Sequence, residues 1–257
     1  MGKTTFVAPP LGGTHRVYSV RSSYDELDFI NQVSLQSTDD AIDHLILSGA
    51  LDAYNEFTGL RSEIRVLDAM YSSRVSLTEC DVGTLNYGLG FPPQLEILGT
   101  LVRGDVSIAY GLGTSSGLAT SGLSSVNGFS IEYNTFLGAF SLKCYAGDPL
   151  VENIRSNVII GPVDIACESD MVLTNNLFFF NESNISIPNG TEYNDYGDPQ
   201  FCDAASGDYT VADTSPCVNG GHLRCTHIGA FGIGCGITTV LPTTWGQIKA
   251  RYGDLTP

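Results

Sequence analysis

Read for the alternation of apolar and polar positions, residues 127–167 repeat themselves. Ile131, Phe136 and Phe140 return 23 residues later as Ile154, Ile159 and Val163. The texture between them returns too: Asn134-Thr-Phe-Leu-Gly138 against Asn157-Val-Ile-Ile-Gly161, then Phe140-Ser-Leu142 against Val163-Asp-Ile165. β-branched and aromatic residues in period 2 mark strands, and self-similarity at a fixed offset marks a solenoid whose coils bury their apolar positions by stacking. The same triple lies 34 residues back at Ile97, Val102 and Val106, then 31 back at Val66, Tyr71 and Val75. A further 24 back are Ile42, Leu47 and Leu51, and 18 beyond those Tyr24, Phe29 and Val33. Forward by 19, Leu173 and Phe178 continue the series, and Ile185-Ser-Ile187 closes that coil after a short insertion. The pattern predicts an all-β chain of about seven stacked parallel coils.

One stretch supports a rival reading. Asp39 to Leu51 has an acidic start and apolar Ile42, Leu45, Ile46 and Leu51, as an amphipathic helix covering the first coil would. The strand reading is preferred, because residues 47–53 lie over Phe136–Leu142 without a gap. Residues 1–20, with alternating Arg16-Val-Tyr-Ser-Val20, are then an N-terminal cap strand, and residues 21–190 the coils.

Equivalent positions in a parallel stack sit about 4.8 Å apart. Ser34, Asp52, Ser76, Ser107, Ser141, Asp164 and Ser186 are thereby expected in one external ladder, with Arg74 beside Asp105. Asn134, Asn157 and Asn176 are expected to line a turn, their amides satisfying its backbone. Two long excursions, near 80–93 and 111–127, are predicted to emerge side by side as loops and form a binding face or a flap. Leu101, Leu137, Val158, Ile160, Leu177 and Phe179 alternate with the core residues and predict an apolar outer face. The chain's own loops, a partner chain or an apolar ligand would cover it, and oligomerisation through it is possible in principle.

Composition narrows the partners. Twelve basic against 28 acidic residues give a net charge of −16, which excludes nucleic acid and anionic membrane surfaces. It also disfavours an acidic polysaccharide unless Ca²⁺ bridges it. No run of about 18 apolar residues is present, so no membrane insertion is expected. The start, Met-Gly-Lys-Thr-Thr-Phe, has no apolar core of a signal peptide, so the chain reads as cytosolic or as a mature fragment. The cysteines favour the fragment. Cys144 and Cys167 stand one coil apart, each two residues after an inward position, within disulfide range once stacked. Cys217, His222, Cys225 and His227 lack any Cys-x-x-Cys knuckle, so neither metal nor cofactor is expected.

The closing residues carry a resemblance. Asp198-Pro-Gln-Phe-Cys-Asp203, Gly207-Asp-Tyr-Thr-Val211, Ser215-Pro-Cys217 and Ile228-Gly-Ala-Phe-Gly232 follow in order. This set resembles the end of secreted bacterial right-handed parallel β-helix proteins, and Thr244–Tyr252 is similar to the Trp-Gly-x-x-Lys tail of some of them. The resemblance implies a right-handed parallel β-helix, export, and a C-terminal cap segment, 191–236, whose cysteines pair, followed by a tail, 237–257. Pairing nearest neighbours gives Cys202–Cys217 and Cys225–Cys235, one of three possible arrangements, and leaves Cys80 as the odd thiol. The fold hosts lyases, hydrolases and adhesins alike, so it does not choose an activity.

The leading expectation is a non-catalytic extracellular or cell-surface module binding glycan or another surface protein. Tyr87, Phe91 and Tyr110 are its candidate contacts, offering flat rings to sugar faces. The alternative is a polysaccharide lyase or glycoside hydrolase with its site between the two excursions, where Glu79, Asp81 and Asp105 are the available acids. Asp39-Asp40 is similar to the Asp-Asp pairs of pectinase-like chains but precedes the well-formed coils and reads as a turn or helix start. A third reading is a building block that trimerises or stacks end to end.

Overall fold

The computed structural model describes residues 3–7, 15–30, 33–48, 55–70, 73–88, 94–110, 129–144, 152–166, 171–179, 194–218 and 228–236. Within them the chain is a parallel β-solenoid made of a 13-stranded and an 8-stranded sheet around one shared apolar core. Each coil lays a strand in the 8-stranded sheet, turns, and lays the next in the 13-stranded sheet. Ser73–Thr78 followed by Asp81–Gly88 is one such coil. Alternation places Val75, Leu77, Val82 and Leu85 of that coil in the core, each fully buried.

Every turn between the two sheets has the same two-residue construction. The first residue is left-handed: Arg21, Asp39, Arg61, Glu79, Gly99, Tyr133, Ser156 and Asn175 have φ between 50° and 59°. All but one are not glycine, and each costs about 1 kcal/mol or more, so the surroundings must hold it. Cross-coil backbone bonds do so, such as Arg61 N–H to Thr78 O at 3.0 Å and Glu79 N–H to Leu98 O at 2.9 Å. The second residue turns its side chain into the stack. The stretch from Asp39 is thus a turn leading into the strand Ala41–Ser48, and the helical alternative is not adopted.

The register agrees with the repeat where the repeat was clearest. Ile131 stands opposite Ile154, Phe136 opposite Ile159 and Phe140 opposite Val163. Ile97, Val102 and Val106 precede them in the same rows. Tyr24 and Phe29 do face Ile42 and Leu47, but in the 13-stranded sheet, where Ile42 stands in the row of Ile64, Val82 and Val102 rather than that of Ile97, and Val66 faces His44. In between, the expected row is wrong: Ile97, Val102 and Val106 lie on Leu77, Val82 and Leu85, not on Val66, Tyr71 and Val75. The cause is a corner. From Phe136 to Phe140 three residues intervene, but from Val82 to Leu85 only two, so a template drawn on the later coils slips on the earlier ones.

That corner also divides the solenoid. Early coils cross the 13-stranded sheet as one long strand, as in Glu63–Met70 and Asp81–Gly88. Later coils break it in two, Leu101–Val102 then Val106–Tyr110, and Thr135–Phe136 then Phe140–Cys144. At the break stands a glycine column. A Cβ on Gly138 would lie 2.3 Å from the carbonyl carbon and oxygen of Gly104, and one on Gly161 would lie 2.1 Å from Gly138 O. The coils approach so closely there that only glycine fits.

Three expectations need correction. Residues 80–88 do not leave the stack as a loop, and 89–93 lie outside the described residues. Asp81–Gly88 is a strand, paired with Glu63–Met70 on one side and with both halves of the first split strand on the other. The serine ladder is divided: Ser107, Ser141 and Asp164 share a row of the 13-stranded sheet, whereas Ser34 and Ser76 occupy different rows of the other sheet. Arg74 pairs with Glu56 at 3.3 Å, and Asp105 accepts the Ala139 N–H at 2.9 Å. The excursion 111–127 and the tail 237–257 lie outside the described residues, apart from Tyr110 and the strand starting at Phe129 that bracket the former.

Candidate functional site

Two surfaces of the solenoid have chemistry of their own. The first is the outer face of the 8-stranded sheet. Tyr18, Gln36, Thr58, Ser76, Glu96, Ser130 and Asn153 fall in one row, coil upon coil. Each lies one position away from an inward residue, so the period of 2 that buries Phe57, Val75 and Leu95 turns this row to solvent. Apart from Glu96 the row is uncharged hydroxyl and amide, headed by a ring 64% exposed at Tyr18. The charges beside it are paired across coils, Arg74 with Glu56 and Arg155 with Glu132 at 2.8 Å. The signal for the row in the sequence is the alternation of Arg16-Val-Tyr-Ser-Val20 and its successors.

The second surface is the outer face of the split strands. Val158 and Leu177 point away from the main core, as their alternation predicted, yet are 1% and 0% exposed. What covers them is the C-terminal segment, through Val211, Cys217 and Ile228. After Asp195–Tyr196 has added a last rung beside Leu177–Phe178, the chain forms a 3-stranded sheet of Phe201–Asp203, Asp208–Ala212 and Ile233–Cys235. Gly229, at φ 91°, donates its N–H to Ser156 O at 2.8 Å, and a Cβ there would lie 2.8 Å from the Val158 methyl. The Ala230 N–H reaches Thr135 Oγ1 at 3.0 Å. Ser215 donates its hydroxyl to Pro199 O at 2.6 Å and accepts the Cys217 N–H at 3.0 Å, joining Asp198-Pro to Ser-Pro-Cys. The residues of the closing motifs therefore fasten a cover onto the coils.

Between the surfaces runs the turn column. Asn134, Asn157 and Asn176 do line it as expected. Each amide oxygen accepts the N–H of the preceding coil's residue, and each amide nitrogen donates to a carbonyl, as Asn157 does to Ile131 O at 2.8 Å. Asn194 extends the column by one coil, accepting from Asn176 at 3.0 Å. Thr100, Ser62 and Asp40 occupy the same place in the earlier coils.

The expected site residues do not assemble. Tyr87 is 2% exposed and belongs to the core, so it offers no ring to a ligand. Phe91 lies outside the described residues, and of Tyr110 the structure gives the strand position, opposite Cys144. Glu79 occupies a left-handed turn position. Asp81 begins the strand after that turn and is held bidentately by Arg103, whose guanidinium also lies 5.7 Å from the Tyr209 ring of the cover. Asp105 stands at the far corner with its carboxylate on the Ala139 N–H. The early turns carry alternating charges, and Arg61 beside Asp39 holds that carboxyl below its usual range, as Arg65 does for Asp43. A shallow groove of about 400 Å³ runs over them, lined by Arg21, Asp39, Arg61 and Glu63 among others.

The cysteines are arranged differently from the nearest-neighbour pairing. Cys202 is bonded to Cys235, and Cys217 is a free, fully buried thiol rather than a disulfide partner. Cys80 is free and buried as expected, but with Cys217 it makes two free thiols among the described residues where one was expected. The Cys144–Cys167 bridge and Cys225 fall on positions outside the described residues or side chains. Among the described residues no group of three or more His, Cys, Asp or Glu could hold a metal, and no helix is long and apolar enough to cross a membrane.

The class defined by these features is a parallel β-solenoid with a disulfide-linked C-terminal cover. No family model, curated protein or solved structure matches the chain.

Proposed function

We propose that this chain is an extracellular or cell-surface module, non-catalytic, that binds a neutral glycan along the polar row of its 8-stranded sheet. The observation that carries the reading is the row from Tyr18 to Asn153, where hydroxyl and amide groups recur in every coil but that of Glu96, beside an exposed ring. Such groups exchange hydrogen bonds with sugar hydroxyls, and Tyr18 supplies the apolar area that a pyranose face stacks on. A net charge of −16 selects neutral over acidic chains. Export is supported by the Cys202–Cys235 disulfide and by the likeness of the closing motifs to secreted bacterial parallel β-helix proteins.

Catalysis draws less support from the structure. Asp81 is taken by Arg103 and Asp105 by a backbone N–H, and the Leu101–Val102 strand lies between them in the chain. A glycan array probed with the protein and with the Tyr18→Ala, Thr58→Ala variant tests the proposal. Binding that the variant loses supports it. A blank array with a protein captured by pull-down reassigns the row to a protein partner. Turnover of a polysaccharide, abolished by Glu79→Gln or Asp105→Asn, would replace binding by an enzyme.

A further inference from the structure

The cover has a fastening that differs in kind from the surface it protects. Beneath it Val158, Leu177 and Cys217 are 1%, 0% and 0% exposed, and Ile228 5%. The strand that closes it, Ile233–Cys235, is exposed at all three residues and touches the rest of the sheet through few backbone bonds. Two of these are Val211 N–H to Gly232 O at 3.1 Å and Asp213 N–H to Cys235 O at 2.9 Å. An exposed three-residue edge strand with no buried side chain is weakly held by such bonds. What ties it down is the covalent link from Cys235 to Cys202, and the loop this link closes contains Val211, Cys217 and Ile228, the residues that sit on the coils.

We propose that the Cys202–Cys235 disulfide is a redox latch: intact, it keeps the C-terminal segment seated on the coils, and reduced, it lets that segment lift. Cys235 faces solvent while Cys202 is half-buried, so an external dithiol attacks at Cys235. The thiolate of the reductant bonds to the Cys235 sulfur, the Cys202–Cys235 bond breaks, and Cys202 leaves as a thiolate that takes up a proton. The second thiol of the reductant then displaces Cys235 and itself becomes half of the reductant's disulfide. Two electrons and two protons have passed to the protein, and the reductant is oxidised by the same amount. The stacked coils, held by the turn column and the core, contain no part of this link and stay folded.

The protein carries its own reporters. Cys217 is sealed under the cover, and burial pushes its thiol up to about 11, so it does not react while the cover is seated. Cys80 is sealed in the solenoid core, and reacts only if the coils open. Alkylation of folded protein, read peptide by peptide by mass spectrometry, therefore separates lifting of the cover from unfolding. In Cys202→Ser, Cys235→Ser protein, Cys217 should be labelled at least about tenfold faster than in oxidised wild type, with Cys80 unchanged. Wild type treated with a dithiol should behave as the variant does. Equal Cys217 rates with and without the latch would overturn the proposal, since the cover would then stay seated unaided. Acceleration of Cys80 together with Cys217 would overturn it too, because the bond would then hold the whole solenoid. Persistent protection of Cys217 in dithiol-treated wild type would show that reduction does not reach the bond and would remove the switch.

Discussion

The coils before Tyr110 and those after Phe129 solve one problem with two chemistries. Both must satisfy a turn whose first residue is left-handed and whose second faces the stack. The early coils use a mixed column, Ser22, Asp40, Ser62, Cys80 and Thr100, and decorate the turn with Arg21, Asp39, Arg61 and Glu79 in alternating charge. The later coils use asparagine throughout, and the glycine column at the next corner, begun at Gly83 and Gly104, continues through them at Gly138 and Gly161. Mixed columns join neighbours through one or two bonds each. An asparagine column both accepts and donates at every step, so each coil is locked to two others. The later half is therefore the one with the continuous amide column, and it is also the half that carries the cover.

Substitutions in matched positions would break or sharpen this contrast. The largest effect is expected at the corner, where Arg65 and Gly161 belong to one column: the Gly83 Cβ position is 2.1 Å from Arg65 O just as that of Gly161 is 2.1 Å from Gly138 O. Gly161→Ala should cost about 4 kcal/mol through that collision. Arg65→Ala, which removes an exposed partner of Asp43, should lower the denaturation midpoint only slightly. Urea unfolding of both variants checks the pair, and equal midpoints would erase the distinction.

Next comes the turn column. Asn157→Ala removes the acceptor of the Asn134 N–H and a donor to the Ile131 carbonyl in a buried site, and should cost about 3 kcal/mol. Ser62→Ala removes a hydroxyl bonded to Ser37 at 2.9 Å and to the Asp40 N–H at 3.3 Å, and should cost about 1 kcal/mol. A larger loss at Ser62 than at Asn157 would refute the ranking of the two halves.

The smallest effects are in pH, and their signs are opposite. Cys217 has its pKa raised from 9.0 to about 11 by burial, so the folded state holds this proton more tightly than the unfolded state. Its contribution is complete below pH 9.0 and fades as pH rises toward about 11, loosening the cover. Proteolytic cuts in the C-terminal segment should appear near pH 11 before any in the coils. Asp43 is depressed below 3.8 by its hydrogen bonds to Arg65, so its contribution is present above that pH and is lost on acidification. That change should register as a small fall in thermal midpoint below pH 3.8, absent in Arg65→Ala.

How much of this was legible depends on how regular the corner is. Ile131, Phe136 and Phe140 announce the coil because three residues always separate the last two members in the later half. Ile64 and Leu67 escaped because their coil has two residues there and because Gly59, an inward position, carries no apolar side chain. That glycine makes room for the Phe57 ring and the Cys80 sulfur, whose atoms lie 3.1 and 3.2 Å from where its Cβ would be. The outer apolar row was visible as alternation, but its cover was not, since Val158 and Ile228 meet only across many intervening residues. Cysteine pairing escaped for the same reason: proximity in sequence favoured Cys202–Cys217, whereas the cover's sheet sets Cys202 against Cys235, with Cα atoms 5.7 Å apart.

Spacing along the turn column has one more consequence. Successive members are separated by 18, 22, 18, 20, 34, 23, 19 and 18 residues, yet each coil advances the column by a single step. The corner with the left-handed residue keeps count, and all variation in length is absorbed elsewhere in the coil. Lengthening a connection costs only closure entropy, about 0.6 kcal/mol for each doubling. A lineage carrying this fold can thus acquire new surface by insertion without disturbing a rung, and a designer can graft a peptide between residues 110 and 129 on the same terms. Evolvability here resides in the contrast between a corner that admits no change of length and one that tolerates almost any.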